Sequence, residues 1–126
     1  MYGYKKSLNI SYEETIKKTK EELKKEGFGI LTEIDVKETL KKKLNVDFNK
    51  YVILGACNPP FAYKSLQAEL DIGLMLPCNV IVYEKENRIF VSAILPTVAM
   101  SMIENENLRE IAEQVEEKLR KVIDSI

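Results

Sequence analysis

The chain has 126 residues, 45% of them hydrophobic and 31% charged, enough apolar material for one domain that removes roughly two-thirds of its unfolded surface from water. That composition excludes a disordered chain and any need for a disulfide or metal staple. Nineteen Lys and Arg against twenty Asp and Glu leave a formal net charge of −1, so no global field draws the protein to nucleic acid or anionic lipid.

Tyr2, Tyr4, Leu8 and Ile10 share one face of an extended first segment, as a half-buried strand requires, with Lys6 breaking the pattern. Ser11-x-x-Glu14 then has the form of a capping box. The helix it opens carries Tyr12, Ile16, Thr19 and Leu23 along one stripe, and Gly27 supplies a left-handed stop. Phe28, Ile30 and Ile34 alternate in a second strand, after which Asp35 caps a short helix presenting Val36, Leu40 and Leu44. The β-branched run Tyr51 to Cys57 reads as a third strand. Residues 60 to 71 read as a helix with Phe61, Leu66 and Leu70 turned inward, and Gly73 marks the turn after it. Val80 to Tyr83 and Ile89 to Ala93 form a hairpin about Glu86-Asn87. Pro96 ends it, a helical turn is expected near Thr97 to Met102, and Asn105 or Asn107 caps a long last helix. That helix repeats apolar residues from Leu108 to Ile126 at helical spacing. The order β-α-β-α-β-α-β-β-α predicts a single α+β domain over 1–126, with a mixed, mainly antiparallel sheet and helices chiefly on one face.

Unusual chemistry and unusual backbone coincide at two corners, Cys57-Asn58-Pro59-Pro60 and Leu76-Pro77-Cys78-Asn79. A thiol beside a helix N-terminus can be acidified by the macrodipole, which makes Cys57 the best nucleophile or ligand in the chain. Against this, Pro59 and Pro60 at the first two helical positions delete two amide donors, leaving a thin anion site. The structural alternative has Asn58 capping the Phe61 amide while Cys57 packs as a small hydrophobe. Whether Cys57 and Cys78 meet depends on the direction of their strands, which the sequence leaves open. The chain contains no histidine, which removes the usual general base and every Ser-His or Cys-His pair. Two cysteines without histidine do not make a zinc site, and no metal or cofactor is expected. Glu33-x-Asp35 and Glu69-x-Asp71 are read as caps or solvated charge, and Gly27-Phe28-Gly29 is too short, and wrongly placed, for a dinucleotide fingerprint.

The stretch Gly27 to Val36, together with Ile53-Leu54-Gly55-Ala56-Cys57-Asn58-Pro59-Pro60 and Leu76-Pro77-Cys78-Asn79-Val80, resembles the domain of unknown function 302 family, in order and from end to end. The resemblance implies a small bacterial or archaeal protein of TATA-binding-protein-like architecture that forms homodimers, and it implies no catalytic residues.

No segment approaches the roughly 20 apolar residues of a membrane span, and no signal-peptide core follows Met1 to Lys6. The expectation is thus a cytoplasmic homodimeric module that binds a small molecule or protein partner, and neither nucleic acid nor membrane. Its candidate binding residues are Cys57, Asn58, Pro59, Cys78 and Asn79. Two alternatives stand beside it: a thiol redox enzyme or sensor in which Cys57 attacks and Cys78 resolves, and a purely structural oligomer joined through the apolar segment around Met75.

Overall fold

The computed structural model describes all residues, Met1–Ile126. Five strands, β1 (Gly3–Leu8), β2 (Gly29–Asp35), β3 (Tyr51–Cys57), β4 (Cys78–Lys85) and β5 (Arg88–Ile94), form one sheet in the order β1-β5-β4-β3-β2. Every ladder is antiparallel. The helices are α1 (Tyr12–Lys25), α2 (Val36–Leu44), α3 (Pro59–Ala68), α4 (Pro96–Ala99) and α5 (Glu106–Asp124), with a 3₁₀ segment at Leu70–Met75. No helix is long and apolar enough to cross a membrane.

The caps foreseen from short polar motifs hold the helix starts. Ser11 Oγ accepts from the Glu14 amide at 3.0 Å, Asp35 Oδ1 from the Glu38 amide at 2.9 Å, and Asn105 Oδ1 from the Leu108 amide at 3.1 Å. Each satisfies an amide that the first helical turn cannot pair. Gly27 stops α1 at φ +87°, and Glu86 and Asn87 both adopt positive φ in the tight β4–β5 turn.

α1 and α5 pack against one face of the sheet. Leu23 of α1 and Val115, Leu119, Val122 and Ile123 of α5 meet Val52, Leu54, Ala56, Val80, Val82, Val91 and Ala93 in a single buried core. Lys6, the break in the first strand's pattern, is on this face because it has a task there: pairing with Val91, it donates to the carbonyls of Ile126 at 2.6 Å and Asp124 at 3.3 Å. A cation on the orphan carbonyls of a helix C-terminus complements the macrodipole. Tyr4, beside it, donates its hydroxyl to Asp124 Oδ1 at 2.7 Å.

Two expectations fail locally. The helix foreseen through residue 71 stops at Ala68 and continues as the 3₁₀ segment. Leu70 is therefore 80% exposed instead of turned inward, while Ile72 takes the buried position. The second strand does not alternate evenly either. A bulge between Ile30 and Thr32 pushes Leu31 out to solvent, so Ile30 stays against the core while Thr32 and Ile34 move to the other face. Gly55 pairs with Thr32 after the bulge, and a methyl there would lie 2.9 Å from Pro77 Cγ and closer still to Thr32 Oγ1. The glycine is needed for close approach.

Candidate functional site

Strand direction settles the question that the two cysteine corners posed. β3 and β4 are antiparallel, and Cys78 lies directly opposite Ala56. The last residue of β3 and the first of β4 are thus neighbours at one end of the sheet. Alternation turns Cys78 to the helix-covered side with Ala56 and directs Cys57 to the other, at the point where the strand runs into Asn58. Both are free, half-buried thiols.

They border one cavity of about 280 Å³, between this end of the sheet and α3, α4 and α5. Its inner wall is Phe28, Ala56 and Cys78 from the sheet side with Ala112 and Val115 of α5; Phe61, Ala62 and Ser65 of α3 and Met100 after α4 close the sides. Leu31 and Leu66, both exposed, stand at its mouth. Small residues make the space: Ala56, Ala62, Ser65 and Ala112 occupy positions where a Leu or Ile would fill it. No charged residue lines the cavity, and beyond the two thiols its polar residues are Asn58 and Ser65.

Both of those residues have a donor engaged elsewhere. Ser65 Oγ donates to the Phe61 carbonyl at 2.8 Å, and Asn58 Nδ2 donates to the Glu26 carbonyl at 3.0 Å. The expected cap is therefore not made: Asn58 is the N-cap residue of α3 by position, without a side-chain bond to the helix. Pro59 and Pro60 do occupy the first helical turn, where missing amides leave little for an N-cap to satisfy. Asn58 instead ties the end of α1 to the start of α3. Two further clamps hold the other walls. Asn105 Nδ2 donates to the Ala68 carbonyl at 2.8 Å, and the Thr97 amide and hydroxyl reach Glu116 Oε1 at 3.1 and 2.6 Å.

The electrostatics of the site are those of an apolar medium. Burial, and secondarily the neighbouring Cys57 sulfur, push the Cys78 thiol up to about 11. At neutral pH Cys78 is a neutral thiol, a weak donor and not a nucleophile. No group of three or more His, Cys, Asp or Glu side chains is gathered to hold a metal.

Of the residues singled out from sequence, Cys57, Asn58 and Cys78 line the cavity together. Pro59 and Asn79 do not. Pro59 is exposed at the helix start, and Asn79, next to Cys78, alternates away from the cavity and is also exposed. The wall residues of α3 and α5 were missed, because Ala62, Ser65 and Ala112 sit in amphipathic stripes that read as ordinary core. Their small size among larger apolar neighbours is the one signal that marks them.

Sheet, helices and cavity together define a two-layer α+β protein with an uncharged, thiol-bearing pocket at the seam between its layers. The chain belongs to the family described as Domain of unknown function DUF302, whose model matches residues 4–126. It is similar to a solved structure titled as the uncharacterized conserved protein DUF302 from Bacillus stearothermophilus, at 35% identity, 99% of this chain and 98% of that one covered, and a TM-score of 0.93. No curated protein matches it.

Proposed function

We propose that the protein is a homodimeric accessory module that binds a small, uncharged, largely apolar ligand in the pocket bordered by Cys57, Asn58 and Cys78. The observation that carries this reading is a cavity of about 280 Å³ without a single charged lining residue. Ligand pockets combine an apolar lining with a few convergent polar groups, and their volumes start near ~300 Å³. A charged ligand would lose its hydration here and find no counter-ion. With the Ser65 hydroxyl and one N–H of Asn58 engaged, the pocket offers a ligand acceptor oxygens, the second Asn58 N–H and weak thiol donors, which favours an apolar body with one small uncharged polar group. The absence of histidine and the neutral state of Cys78 favour binding over catalysis. Two free thiols suit a reducing compartment such as the cytoplasm.

The redox reading has the antiparallel register in its favour, since that register brings Cys57 and Cys78 to one end of the sheet. Two features weigh against it. The residue opposite Cys78 is Ala56, so the thiols leave opposite faces of adjacent strands. A thiol held near 11 is also a poor thiolate and a poor leaving group.

The test is a titration with N-phenyl-1-naphthylamine, a neutral apolar fluorophore. Saturable enhancement at one site per chain is expected, together with slower alkylation of the cysteines when the probe is bound. Ala62→Leu and Ala112→Leu fill the space and should abolish the enhancement while leaving the far-UV spectrum unchanged. Absence of saturable binding, or binding indifferent to both substitutions, overturns the reading.

A further inference from the structure

In an antiparallel sheet with one wet face, strands alternate apolar and polar residues. β3 and the middle of β4 do not. Tyr51 and Ile53 lie between core residues on β3, and Ile81 and Tyr83 on β4, so both strands are apolar on both faces there, and Phe90 continues the second face on β5 between Arg88 and Ser92. That is the pattern of strands covered on both sides. Yet α1 and α5 cover one face only, and α2, beside β2 and β3, has no buried residue.

Register gathers the second face into two rows. Ile34, Ile53 and Ile81 are cross-strand neighbours, and so are Tyr51, Tyr83 and Phe90. The aromatic row is continuous, Tyr51 on Tyr83 and Tyr83 on Phe90, each at 5.3 Å between centroids with interplanar angles of 11° and 24°. Lys5 and Ser7 on β1, Thr32 on β2, Asn79 at the start of β4, and Lys85 and Arg88 at the hairpin lie towards the margins of this face; Ser92, buried opposite Ile81, is a polar residue within it, and the Lys5 ammonium reaches over the Tyr83 and Phe90 rings at 5.6 and 5.7 Å. A largely apolar centre inside a polar rim is the anatomy of a protein interface.

We infer that this face joins two copies of the chain, sheet on sheet about a two-fold axis. The inference rests on the homodimeric part of the proposed function and names its surface. A two-fold contact requires a patch complementary to itself, and a sheet face meets that requirement in aligned or orthogonal packing. Size agrees. Five strands at ~4.8 Å spacing and about seven residues at ~3.3 Å give roughly 550 Å² in projection before side-chain relief, against ~800 Å² contributed by each partner in a standard stable interface. A single-stranded nucleic acid would need free ring faces for stacking. Here the rings are engaged by one another and by the Lys5 and Arg88 cations, and the adjoining row is aliphatic.

The test is mass in solution by light scattering at tens of micromolar chain. The wild type is expected at twice the 14.5 kDa chain mass, Ile81→Lys and Phe90→Arg at the single mass with unchanged far-UV spectra, and Leu74→Lys, on the exposed 3₁₀ segment, still at twice that mass. Hydroxyl-radical footprinting of the wild type needs no variant: Tyr51 and Tyr83 should be protected at high concentration and modified on dilution. Dimeric face variants, a monomeric Leu74→Lys, or footprinting indifferent to concentration overturn the assignment while leaving homodimerisation in place. A monomeric wild type overturns both, and so does protection of these tyrosines by oligothymidylate in a monomer; pocket binding by N-phenyl-1-naphthylamine is read independently.

Discussion

Cys78 joins the pocket's chemistry to the protein's stability. Its thiol moves from an ordinary 9.0 to about 11 because burial disfavours the thiolate and the Cys57 sulfur adds to the effect. The folded state therefore holds this proton more tightly than the unfolded chain does. The resulting stabilisation is complete below pH 9 and is lost as pH rises from 9 towards 11, about 1.4 kcal/mol of it by pH 10. Urea unfolding at pH 8 and pH 10 should show that difference in the wild type and lack it in Cys78→Ala. Tyr12, which burial and then the Asp35, Glu13 and Glu33 carboxylates push up to about 12, is common to both proteins and cancels. Asn58 makes the second argument at this scale. It is buried, and its amide bridges to the Glu26 carbonyl. Asn58→Ala removes that bond and should cost about 1–2 kcal/mol in the same assay. If Asn58 were an ordinary N-cap, Asn58→Asp would preserve stability; because the bond is donated by Nδ2, the carboxylate should be as damaging as alanine.

At the scale of elements, the ends of helices are where the structure is specified. Lys6 neutralises the exposed carbonyls that finish α5. Lys6→Met keeps the apolar stem and removes the donors, so a loss of about 1 kcal/mol is expected, with fraying of residues 122–126 visible as faster amide exchange. The starts of α1, α2 and α5 were legible in the sequence because Ser11, Asp35 and Asn105 are short-range signals, each acting on an amide three residues away. The tight turn at Glu86-Asn87 and the stop at Gly27 are equally local. What could not be read is what depends on distant partners. The end of α3 at Ala68 is fixed by Asn105, 37 residues on, and the bulge at Leu31 by how β2 meets β3. Lys6 looked like a fault in a strand because its reason lies at the other end of the chain.

For the whole molecule, the cysteine corners were recognisable as residues but not as a place. Local chemistry singled out Cys57, Asn58 and Cys78; only the β3–β4 ladder brings them to one cavity, and only the packing of α3 and α5 above Ala56 hollows it. The same limit applies to the second sheet face, since apolar residues at Ile53, Ile81, Tyr83 and Phe90 read equally well as core until the register shows which side the helices occupy.

The pairing of β1 with β5, Gly3 against Ile94 and Leu8 against Ile89, bears on how the chain is made. A ribosome releases the first strand long before its only ladder partner exists, so Gly3–Leu8 must wait through the synthesis of some 80 further residues with its hydrogen-bonding edge unsatisfied by sheet. Tyr4, Lys5, Lys6 and Ser7 keep that waiting segment hydrated. Closure of the sheet, and with it the anchoring of Lys6 on α5, therefore comes only after β5 and α5 have been made.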